Sequence, residues 1–174
     1  MPSGALRRGL DALYDGAAWL AALFMIALLA MVLLSITGRQ LHFHLPGTDS
    51  YAGYMMAAAG FLALAHTFKR NEHIRVTLLL SSLHGLRRHI LELWALGAAT
   101  LLAGLAAFYA CRLSWQSYQF HDVSTGNDAT PLWLPQLTMA VGCVVLTIAI
   151  IDELVLEMRG RRVEVQAEEA THNE

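Results

Sequence analysis

Four long apolar runs, separated by polar segments that hold all of the Asp, Glu, Lys and Arg, set the pattern of this chain. Ala17–Thr37 (AAWLAALFMIALLAMVLLSIT) gives 21 residues without a charge; Tyr51–Phe68 gives 18, with His66 inside it. Leu93–Cys111 gives 19 and Leu132–Ile151 gives 20. A helix rises 1.5 Å per residue, so about 20 residues cross a hydrocarbon core about 30 Å thick. The backbone finds no water there and must bond to itself, so each run predicts a helix. A soluble four-helix bundle would need a polar stripe on every helix, and none of the runs carries one. Pro135 falls in the first turn of the fourth run, where its missing N–H breaks no helical bond. The prediction is an all-α integral membrane protein with four transmembrane helices in a single domain, residues 1–162.

The charge pattern orients these spans. The first, third and fifth polar segments hold Arg7, Arg8, Lys69, Arg70, Arg75, Arg87, Arg88, Arg159, Arg161 and Arg162, whereas the second and fourth hold only Arg39 and Arg112. Lys and Arg accumulate on the cytoplasmic side, so both termini are expected in the cytoplasm. Trp19, Tyr51, Trp94, Tyr109, Trp115 and Trp133 stand at or near span ends, where amphipathic rings favour the membrane–water interface. The first run is longer than a signal-peptide core of about 7–15 residues, and no small-residue cleavage site follows it, so it reads as an uncleaved anchor.

Two further stretches are amphipathic but too short to span. Leu6, Leu10 and Leu13 recur at helical spacing, with Arg7, Arg8, Asp11 and Asp15 on other faces. This stretch is either an interfacial helix or an extension of the first span. Leu79, Leu83, Leu86 and Ile90 form one stripe opposite His84, Arg87 and Arg88, which predicts an interfacial helix over about 74–90. Lys69, Arg70, Arg75, Arg87 and Arg88 are the candidate anchors to anionic lipid. Of the segments on the other side, 38–50 and 112–131, the second contains STGNDATP and reads as irregular loop. The tail 163–174 is polar and acidic and predicts disorder.

Composition narrows the function. Of 174 residues, 56% are hydrophobic and 15% charged, with mean hydropathy +0.45, against about 25% charged in an ordinary soluble domain. The net charge of −2 offers no basic face for nucleic acid. Cys111 and Cys143 form neither a disulfide framework nor a metal knuckle. Ionisable groups deep in a bilayer mark proton or ion paths, but His66, Gln136 and Asp152 all lie near span ends. His66 and His89 could stand at similar depth, as a haem would require, but an interfacial position suits both better. His42 and His44 flank Phe43 in a loop without identifiable partner ligands. No phosphate-binding glycine loop or nucleophile triad is present, and neither enzymatic activity nor a cofactor is expected.

What remains inside the membrane is small-residue patterning. Gly53, Ala57 and Gly60 line one face of the second run, and Gly97, Thr100 and Gly104 one face of the third. Such faces let helix backbones approach closely in lipid, either within this chain or against another membrane protein. A small polytopic chain without a site of its own suggests an accessory subunit.

The segment TGRQLHFHLPGTDSYAGYMMAAAGFLALAHTFKRNEHIRVTLLL resembles the small, DctQ-type membrane subunit of tripartite ATP-independent periplasmic (TRAP) transporters. The resembling features are Arg39 after the first span, Asp49 before a small-residue-rich second span, and a basic turn leading into His73-Ile74-Arg75-Val76. The start of the fourth run, Pro131-Leu-Trp-Leu-Pro135-Gln136, is similar as well, and the resemblance covers about Tyr14 to Met158. Thr77 stands where the family often has an acidic residue. The resemblance implies a secondary transporter of the bacterial inner membrane. In it a periplasmic substrate-binding protein captures an organic anion such as a C4-dicarboxylate, and a large membrane subunit imports the anion with sodium. The small subunit is implied to brace the large one, with no substrate or sodium site of its own. Gly53, Ala57, Gly60, Gly97, Gly104 and His73 are the candidate contacts to that partner. The alternative reading is a cytochrome-type membrane anchor of a quinone-linked respiratory enzyme.

Overall fold

A computed structural model describes residues 5–43, 46–69, 86–126 and 128–159. It is all-helical: α1 (Ala5–Gln40), α2 (Thr48–Lys69), α3 (Leu86–Phe120) and α4 (Trp133–Met158). α1, α3 and α4 are long and apolar enough to cross a membrane. α2 is long enough at 22 residues, but Tyr51, Gly53, Tyr54, Gly60 and His66 dilute its apolar character.

All four helices extend past their apolar runs, α1 and α3 the furthest. The amphipathic N-terminal stretch is continuous with the first span, so α1 reaches 36 residues, and the interfacial-or-extension alternative resolves to an extension. α3 runs on to Phe120, so the expectation of an irregular loop from Arg112 onward is corrected. No Pro or Gly interrupts Arg112–Phe120, and Ser114 and Ser117 on its inner side bury themselves at 7% and 3% exposure. The predicted interfacial helix falls mostly outside the described residues; its last turn, Leu86–Ile90, is the first turn of α3.

Both α1 and α3 end in the same way. His42 (φ 55°) and His121 (φ 54°) adopt the left-handed conformation, and the following amides reach back to orphan carbonyls. Phe43 N–H donates to the Gly38 carbonyl at 2.8 Å, and Asp122 N–H to the Ser117 carbonyl at 3.0 Å. This is the Schellman closure, with histidine in the position glycine usually takes. His42 therefore serves the backbone. Gly38 is required at its own site, because a Cβ there would stand 2.6 Å from the Phe43 carbonyl oxygen.

The helices pack in the order α1–α2–α4–α3, with α1 only grazing α4. Tyr14, Ala17, Ala65, Val145 and Ala149 join α1, α2 and α4 near the end that carries the start of α1. Ala107, Ala110, Ala140 and Cys143, with Phe61 and Met139 against them, join α3, α4 and α2 further along. α4 approaches α2 closely at Gly142, where a Cβ would meet the Phe61 backbone carbonyl at 2.6 Å. Alanine-rich seams of this kind bring backbones close without needing a hydrophobic drive. Large apolar side chains point outward instead: Trp19, Leu23 and Ile26 on α1 and Leu101, Leu102 and Phe108 on α3 are each more than 60% exposed. In water such a surface would be a liability; facing lipid it is the expected exterior.

Candidate functional site

The polar side chains gather at the two ends of the helices. At the end holding the start of α1 and the finish of α4, Lys69 pairs with Asp11 and lies 4.7 Å over the Tyr14 ring. His66 Nδ1 stands 3.5 Å from Asp15, a second tie between α1 and α2. His89 Nδ1 stands 2.8 Å from Glu157, tying α3 to α4. Glu157 is only 7% exposed, and the pairing with His89 helps to offset the desolvation of its carboxylate. The two histidines weighed as haem ligands are thus each paired with a carboxylate, on different helix pairs. Among the described residues no group of three or more His, Cys, Asp and Glu is placed to hold a metal.

At the opposite end, one carboxylate fastens the 121–131 connection to α2. Asp128 accepts from Tyr54 Oη at 3.0 Å and from Ser124 Oγ at 2.8 Å, while the Thr130 and Tyr51 hydroxyls stand 3.2 Å apart. Hydrogen bonds from Thr130, Ser124 and Tyr54 hold this carboxyl well below the usual carboxylate range. Backbone bonds close the segment into a loop: Ser124 N–H to the Thr130 carbonyl at 2.8 Å and Leu132 N–H to the Asp122 carbonyl at 3.0 Å. Gly47 (φ 85°) lies so close beneath that an added Cβ would stand 2.9 Å from the Asp128 Cβ. Beside this knot Arg39 reaches Asp49 at 4.0 Å, with Ser35 Oγ donating to Asp49 at 3.2 Å. Both charged side chains are largely exposed, so that pair adds little.

Between the two ends lie the small-residue faces. Gly53 and Gly60 are exposed on α2 and Ala57 is half-buried. An added Cβ at Gly53, Gly60, Gly97 or Gly104 would meet nothing within 4 Å. Among the described residues these glycines therefore serve no packing; the side of α2 that does is Ala58, Ala59, Leu62 and Ala65. Thr100 spends its hydroxyl on the Leu96 carbonyl at 2.8 Å. Of the candidate anchors, Lys69 is half-buried in its pair with Asp11, and Arg87 and Arg88 lie in the first turn of α3. Arg70, Arg75 and His73 lie outside the described residues. Sequence reasoning missed Gly142, Glu157 and Asp128. Gly142 has no second Gly or Ala at four-residue spacing (Thr138 and Leu146 flank it), and the partners of Asp128 and Glu157 are remote in the chain.

Comparison with protein families finds a match over residues 28–160 to the DctQ component of tripartite ATP-independent periplasmic transporters. The chain belongs to this family. The match covers well over half its length, from the middle of α1 to the end of α4. This DctQ chain is thus a TRAP transporter small subunit, a membrane-transport component and not an enzyme, of a family that works with a large membrane subunit and a binding protein. The family match lends no support to a cytochrome-type anchor. A search of curated proteins finds no match.

Proposed function

We propose that this DctQ chain braces the large membrane subunit of a sodium-driven TRAP importer of organic anions, a C4-dicarboxylate or another carboxylate. The observation that carries the reading is the α2 face of Gly53, Ala57 and Gly60, which stays open while the opposite side of the same helix is packed. α2 is also the helix least suited by composition to face lipid, so it gains most from a protein neighbour. Gly97 and Gly104 on α3 offer a second open stretch, and His73 supplies a polar contact. A transporter that moves its substrate site across the bilayer needs a fixed frame to move against.

In this reading α2 is the fourth span, the chain lies in the bacterial inner membrane, and both termini are cytoplasmic. The ten-to-two distribution of Lys and Arg supports that orientation. Lys69, Arg70, Arg75, Arg87 and Arg88 anchor the cytoplasmic side to anionic lipid, each contributing about 1 kcal/mol. For Lys69 this competes with its Asp11 pair. The loops at the Asp128 end face the periplasm and help seat the binding protein. The test is to tag the chain, extract it in mild detergent and identify what co-purifies. A large polytopic subunit in near-equal amount is expected; a haem- or flavin-bearing partner, or none, would overturn the reading.

A further inference from the structure

α3 carries its two tryptophans in a spacing that matches a bilayer. Trp94 and Trp115 are 72% and 62% exposed, on the same side of one uninterrupted helix. They are 21 residues apart, about 32 Å along the axis at 1.5 Å per residue, against a hydrocarbon core of about 30 Å. Between them every side chain is uncharged except Arg112, one turn before Trp115 and exposed, which is long enough to snorkel toward head groups. Beyond Arg112 the helix adds Leu113, Trp115, Tyr118 and Phe120, from 44% to 73% exposed, with no further charge before Asp122.

This aromatic end is held rigidly. Ser114 and Ser117 turn inward, Ser114 Oγ bonding the Trp133 carbonyl at 3.3 Å. The Tyr118 ring packs against Trp115 and Trp133 at centroid distances of 6.2 and 5.7 Å. From Trp115 to Phe120 the helix runs five residues, about 7.5 Å, which matches an interfacial layer of about 5–7.5 Å on each side of the hydrocarbon core. Trp and Tyr rings, apolar in body and polar at one edge, are the side chains that prefer those layers.

We propose that Leu113–Phe120 of α3 is a lipid-binding surface. It lies in the head-group layer of the leaflet remote from the chain termini, with Trp115 and Tyr118 against phospholipid and Trp94 marking the opposite interface. This goes beyond the bracing role: it assigns one end of α3 to lipid, while a helix crossing at Gly97 and Gly104 would touch only the middle turns.

The test is photo-crosslinking in native membranes. Benzoylphenylalanine is placed at Trp115 or at Tyr118, both exposed and so tolerant of replacement, and separately at Gly60 on α2. Illumination at Trp115 and Tyr118 is expected to add the mass of one phospholipid to the chain. A protein adduct at these positions, or no adduct at either because the rings stand in water, would overturn the proposal. The Gly60 position reports separately: a protein adduct there supports bracing, and its absence counts against bracing without touching the lipid assignment.

Discussion

Gly142 and Gly60 are the same residue type on packed neighbouring helices, yet they predict opposite outcomes. A Cβ at Gly142 meets the Phe61 backbone at 2.6 Å, and backbone cannot swing aside as a side-chain end can. Gly142→Ala should therefore lower the stability of the purified chain by about 1–3 kcal/mol, read as a drop in thermal unfolding temperature. At Gly60 nothing lies within 4 Å, so Gly60→Leu should leave that temperature unchanged while loosening the hold on a partner. Asp128 gives a pH prediction. Its carboxyl is held down in the folded chain, so its contribution is complete above the unfolded value of about 3.9 and is lost only as pH falls through the lower native value. Protection of the Ser124 and Leu132 amides from hydrogen exchange, corrected for the intrinsic rate, should be the same at about pH 7 and about pH 5. Protection that disappears across that interval would contradict the assigned hydrogen bonds. The turn composition of STGNDATP announces a loop. That its one carboxylate docks on Tyr54, 74 residues away, has no local signal.

At the scale of the elements, the apolar runs locate the helices because the bilayer demands them, but they do not locate helix ends. A helix continues past its apolar run wherever nothing stops it, and Arg112–Phe120 contains no Gly, Pro or Asn. The stop is His121 in the left-handed conformation, a role that histidine does not advertise in sequence. Spin labels scanned through residues 112–120 should show helical periodicity, with positions 114 and 117 immobile and 115 and 119 mobile. An irregular loop would show no such period. The α3–α4 pair is also tied by His89 and Glu157 at the other end. Glu157→Ala should destabilise the chain by about 1–3 kcal/mol in thermal unfolding, because it strips the partner from His89 and opens a buried site. An unchanged unfolding temperature would mean that the pair contributes nothing net.

For the whole molecule, the membrane class and the family were legible in the sequence, since they rest on run lengths and on short motifs such as His73-Ile74-Arg75-Val76. The packing order was not. Both the open and the closed sides of α2 are built from small residues, and only the fold tells Gly53 and Gly60 from Ala58 and Ala59. The proposed bracing of the large subunit rests on that distinction between the two sides of α2. The most direct test is co-purification of the large TRAP subunit with tagged wild-type and Gly60→Leu chains, each also checked for its own unfolding temperature. The Gly60→Leu chain is expected to fold and to recover several-fold less of the large subunit than wild type does. A folded variant that recovers as much would contradict the bracing role and place the α2 face against lipid.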